Sequence, residues 1–178
     1  MKKTTTIAEI AAAVALCTIL SFISIMKMPQ GGSVSLTMLP ILIISFRRGA
    51  GAGIVTGLIF GVLFAFIDGY IFHPASLILD YALAFAVIGI AGFFPKKLPF
   101  IILGMFLGIL GRFCSSCISG AIFFASYAPA GQNPWLYSTI YQASYMLPEL
   151  LLCIVSVVII FFKAPAVFNP SNRHSHKA

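Results

Sequence analysis

Three groups of residues have the types and spacing to do chemistry. Arg112, Ser116, Gly120 and Phe124 recur every fourth position. On a helix they share one face, with a drift of about 40° per step. Tyr137, Tyr141 and Tyr145 stack in the same way, with Gln142 and Glu149 beside them, and Asp80 precedes Tyr81. Aromatic faces attract cations, and a desolvated carboxylate attracts them more strongly. Together the groups describe a pocket for a flat, polar molecule able to carry positive charge. Each also has a structural use. Arg112 and Glu149 can pair with each other, Asp80 can serve an interface, and the tyrosines can anchor or pack a helix.

Other chemistry is poorly supported. Cys114 and Cys117 form a CxxC without a second ligand pair or a nearby His. Two small buried residues at a helix contact are the favoured reading, so no metal is expected. An enzyme would need paired carboxylates, a His-based site or a metal cluster, and the four acidic residues are scattered. There is no nucleotide-binding loop, and no catalytic residue is assigned.

The elements that carry these residues are membrane helices. The chain is 60% hydrophobic and 8% charged, against about 25% charged in an ordinary soluble domain. Its apolar runs reach the roughly 20 residues that cross a bilayer. Six helices are expected, over 5–26, 35–47, 49–67, 75–94, 99–125 and 134–163. The fold class is an all-α integral membrane bundle over 1–163, followed by a polar, disordered cytoplasmic tail over 164–178. The second helix is short and carries Pro40, which predicts a bent or incomplete segment. The first apolar run exceeds the roughly 7–15 residues of a signal core and lacks a clear cleavage site, so it is read as a helix of the bundle. His73, ahead of Pro74, is expected to start the fourth helix.

The net charge of +7 is sorted by the membrane and is not read as a nucleic-acid footprint. Lys2, Lys3, Arg47, Arg48, Lys96, Lys97, Lys163, Arg173 and Lys177 fall on one side of a six-span path, and Lys27 on the other. The positive-inside rule makes the first side, with both termini, cytoplasmic. Ala8, Ala11, Ala12 and Ala15 on the first helix have the small-xxx-small spacing of close helix contacts. Internal packing and docking to another protein both fit. For Gly49, Gly53, Gly57 and Gly61 internal packing is favoured.

Several stretches are specific in order and spacing: Met28–Leu36, Arg47-Arg48-Gly49, Leu79–Phe85, Ser119–Phe124, Tyr127–Pro129 and Asn133–Ser138. They resemble the thiamine-specific S-components of energy-coupling factor (ECF) transporters, and the likeness runs from the first helix to about Phe162. The resemblance implies a bacterial six-helix subunit that captures thiamine or a close relative from outside. It then docks on a transmembrane coupling subunit with two ATPases and topples to release its ligand. ATP is used by those partners, and no cofactor is expected in this chain. The resemblance implies ligand contacts from Asp80, Tyr81, Phe124, Tyr137 and Tyr70, and docking through Ala11 and Ala15. Ser116, Gln142 and Gly120 complete the expected pocket. Three positions depart from the pattern: Ser116 replaces a histidine, Gln142 an asparagine and Ser126 an acidic residue. A shifted ligand, such as a thiamine precursor or another small heterocycle, is therefore the alternative. A self-contained secondary transporter ranks below both, because repeated halves are not evident.

Overall fold

The computed structural model describes residues 2–68, 71 and 73–169. Tyr70 and the segment 170–178 lie outside the described residues. The chain forms an all-α bundle of six helical segments: α1 (Lys2–Phe22), α2 (Leu39–Arg48), α3 (Ala50–Asp68), α4 (Pro74–Phe93), α5 (Leu98–Phe123) and α6 (Pro134–Lys163). Among the described residues, five helices are long and apolar enough to cross a membrane: α1, α3, α4, α5 and α6. Their outward positions keep large apolar side chains exposed, including Phe66 on α3 and Leu147, Leu151, Val155 and Ile159 on α6. An apolar belt of this kind suits lipid, where backbone polar groups are satisfied within each helix.

The expected second span is corrected. Instead of 35–47, α2 has 10 residues and begins at Leu39, too short to cross a bilayer alone. Pro40 sits in its first turn, where a missing N–H costs nothing. The residues ahead of it are not helical, yet Val34, Ser35, Thr37 and Met38 are buried. Irregular backbone at membrane depth is tolerated only where protein covers it. The expected extension of the first helix to residue 26 also fails. After Phe22 the chain turns into an antiparallel hairpin, β1 (Met26–Lys27) against β2 (Ser33–Val34). Gly31 and Gly32, with φ of 86° and 90°, close its tip.

Small residues let α3 and α4 touch backbone to backbone. A Cβ at Gly57 would collide with the Phe85 carbonyl, one at Gly61 with that of Tyr81, and one at Gly53 with Ser45. The glycine series therefore packs internally, as expected, except for Gly49. That residue caps α2 at φ 94°, and a Cβ there meets nothing.

One end of the bundle gathers basic residues. Arg47 and Arg48 both grip the Glu9 carboxylate of α1, at 3.0 and 2.6 Å. Arg47 also donates to the carbonyls of Ala166 and Val167, and Lys96 to that of Phe168. The tail expected from 164 therefore does not begin there. Pro165–Val167 form a 3-10 turn. Phe168 is buried, its ring 6.3 Å from Phe46 and 6.1 Å from Phe161.

Candidate ligand-binding site

The site lies at the end opposite the basic cluster. The start of α4, the end of α5, the start of α6 and the hairpin meet around a cavity of about 680 Å³, including its mouth.

Asp80 reaches the cavity because α4 is not regular there. Residues Leu77–Ala82 form a π-helical turn, a feature frequent at functional sites. Two serines of α5 brace the turn. Ser115 donates to the Leu79 carbonyl at 2.5 Å, and Ser119 to the Asp80 carboxylate at 2.5 Å. The outer end of α4 is set by His73, whose Nδ1 accepts from the Ala75 N–H at 3.1 Å. His73 also exchanges a capping box with Ser76 and stacks on Phe123 at 4.9 Å. The expected helix-start role of His73 is thus what the structure contains.

The aromatic walls come from three directions. Tyr81 is buried with its ring 6.0 Å from Phe64, and Phe64 lies edge-on to Phe85. Phe124 stacks on Tyr127 at 6.1 Å. Helix α5 was expected to run to 125 but ends at Phe123, which leaves Phe124 as its C-cap. Tyr137, Tyr141 and Tyr145 step down α6 with centroid spacings of 6.0 and 6.1 Å.

Polar groups fix these walls. The Tyr145 hydroxyl donates to Gln142 Oε1, and Gln142 Nε2 donates to the Ser116 carbonyl at 3.3 Å. Gly120 contributes through its size: a Cβ would collide with Ser138 Oγ. That hydroxyl donates to the Cys117 carbonyl across the α5–α6 contact. The Tyr141 hydroxyl accepts from the Gln30 N–H at 3.0 Å and donates to the Gly31 carbonyl at 2.9 Å. The hairpin tip is thereby held against α6. Gly32 lies so near Tyr145 that a Cβ would come within 2.7 Å of its ring.

Beneath these groups Arg112 pairs with Glu149 at 3.4 Å. Glu149 is 1% exposed and also accepts from Ser35 at 3.3 Å. The pairing open in the sequence is therefore made, and Arg112 nonetheless lines the cavity.

Asp80, Tyr81, Ser116, Gly120, Phe124, Tyr137 and Gln142 all line this one cavity. Tyr70 lies outside the described residues. Sequence reasoning left out Gln30, Gly31, Phe64, Phe85 and Tyr127, which also line it. Phe64 and Phe85 are indistinguishable from core residues within apolar runs. The Pro29–Gly32 turn did signal a loop, but nothing in it said that the loop folds back over the pocket. Elsewhere, Ala8, Ala11, Ala12 and Ala15 form an exposed face of α1, while Val14 and Cys17 face inward. Cys117 is buried and Cys114 exposed.

Fold and site define a multi-pass helical membrane protein built around a cavity lined by aromatic and polar side chains. The chain belongs to the thiamine transporter protein family (Thia_YuaJ), whose pattern matches residues 7–169. It is 42% identical to the thiamine transporter ThiT of Bacillus subtilis over 174 aligned residues, covering 88% of this chain and 90% of the relative. It is 30% identical to ThiT of Lacticaseibacillus paracasei over 148 residues, or 74% of each chain. A solved structure of ThiT from Listeria monocytogenes superposes with a TM-score of 0.84 at 29% identity. That match covers 96% of this chain and 100% of the other. The family is one of transporters and not of enzymes.

Proposed function

We propose that this chain is the substrate-binding subunit of an ECF-type importer and that its cavity takes thiamine from outside the cell. The observation that carries the reading is the Asp80 carboxylate set in an aromatic-walled cavity. Thiamine is a permanently cationic thiazolium linked to a flat aminopyrimidine. Stacked aromatic rings suit both of its rings, and a carboxylate suits the cation. The names of the bacterial relatives point to the same ligand.

The ligand contacts we assign are Asp80, Tyr81, Phe124, Tyr137 and Gln142, with Ser116 and Gly120 shaping the wall. The basic cluster at the opposite end supports a cytoplasmic location for both termini and an outward-facing cavity. The exposed small-residue face at Ala11 and Ala15 is the docking surface for a transmembrane coupling subunit. Two partner ATPases hydrolyse the ATP, and this chain holds no cofactor. A second reading keeps the same machinery with a thiamine precursor or another small heterocycle as ligand. It rests on Ser116, which cannot stack on a ring as the family's histidine can.

Calorimetry on the purified protein tests the ligand, and proteoliposomes test the mechanism. Thiamine is expected to bind with sub-micromolar affinity. Uptake is expected only when the coupling subunit, the ATPases and ATP are all present. A folded sample that ignores thiamine but binds a precursor selects the second reading. Thiamine uptake by this chain alone would show a self-contained transporter.

A further inference from the structure

Arg112 carries more hydrogen-bond donors than the protein uses. A guanidinium offers five N–H donors in a fixed fork. Among the described residues Arg112 makes one hydrogen bond, from Nη1 to Glu149 Oε2 at 3.4 Å. That is long for a charge-assisted pair, which normally closes to about 2.7–2.9 Å. Its Nε is buried without a partner, although the residue is 6% exposed. The guanidinium carbon lies 4.3 Å from the centre of the Phe85 ring. That ring also lines the cavity. Glu149 is steadied from behind by Ser35, which is itself hydrogen-bonded to Thr37 at 2.7 Å. The fork is therefore held in place at the cavity wall with donors in surplus. Arginine within a membrane segment normally finds partners or marks a substrate site.

We infer that Arg112 is a second polar anchor of the cavity, donating to a neutral hydrogen-bond acceptor on the ligand. Like charges repel, so the guanidinium faces the uncharged ring and Asp80 takes the cationic one. The site thereby selects for two features in one molecule: a cation and an acceptor-bearing heteroaromatic ring. This rests on the thiamine reading, in which the pyrimidine nitrogens are the acceptors. Arg112 is then a specificity-determining residue, and Glu149 is its positioning partner.

The test compares thiamine with an analogue whose pyrimidine is replaced by the matching benzene ring, the thiazolium being kept. Both are titrated by calorimetry into the wild-type protein and into Arg112→Lys. Lysine keeps a charge beside Glu149 but loses the planar fork. The wild type should bind the analogue at least about tenfold more weakly than thiamine, because a site built to hydrogen-bond rejects a ligand lacking the group. Arg112→Lys should weaken thiamine by a similar factor and leave the analogue unchanged. Equal wild-type affinity for the two compounds overturns the inference, whether or not the variant folds. So does an equal loss for both compounds in the variant. If the wild type binds neither compound, the thiamine reading falls and the inference falls with it.

Discussion

Asp80 owes its position to a local irregularity and its orientation to a neighbour. The π turn aims the carboxylate, and Ser119 holds one of its oxygens. Asn has the same shape and can still accept from Ser119, so Asp80→Asn removes charge with little change of form. Breaking a desolvated charge pair from one side costs about 2 kcal/mol or more, equivalent to about a thirty-fold rise in Kd. We expect that loss for thiamine by calorimetry, with melting of the ligand-free protein unchanged. Affinity within a factor of two of wild type would remove Asp80 from the ligand contacts. Residue types made this site largely readable before the structure. A carboxylate, a guanidinium and a tyrosine ladder in apolar sequence each need a reason to be there. Phe64 and Phe85 carried no such flag, since an apolar ring lining a cavity and one filling a core look alike in sequence.

At the scale of elements, the long helices were legible because lipid demands uninterrupted apolar runs and turn residues punctuate them. The hairpin and α2 were not. Two-residue strands fall below any periodic signal, and 35–38 reads as the start of a helix although its backbone is irregular. The hairpin nevertheless carries weight, because Tyr141 is its latch. Tyr141→Phe keeps the ring and deletes both hydrogen bonds to the hairpin backbone. Each is worth about 1 kcal/mol, so the hairpin should open more readily and ligand should leave up to about thirty times faster. Stopped-flow fluorescence of Trp135 reads this rate, and an unchanged rate would show that the hairpin does not gate release.

Charge sorting predicts a polarity for the whole molecule, and the structure adds a physical clasp at the basic end. Glu9, Arg47, Lys96 and the carbonyls of Ala166 to Phe168 join the start of α1 to the end of α6. The exposed face of α1 thus projects from a braced body. Trp at both Ala11 and Ala15 should abolish partner-dependent uptake and co-purification with the coupling subunit. Thiamine affinity should stay within twofold, because this face turns away from the cavity. Intact assembly in that double variant would dismiss the docking role.

The start of α4 is also held in a fixed phase against α5. The helix meets α5 twice, through His73 on Phe123 and, one layer deeper, through Leu79 and Asp80 on Ser115 and Ser119. A regular helix advances about 100° per residue, so the number of residues between the two meetings fixes the angle at which the carboxylate faces α5. Removing any residue between them would swing the outer end of α4 by that angle relative to the carboxylate. The binding chemistry of this protein is therefore exposed to single-codon insertions and deletions as much as to substitutions. Relatives with different ligands can be sought by the length of this segment as well as by its composition.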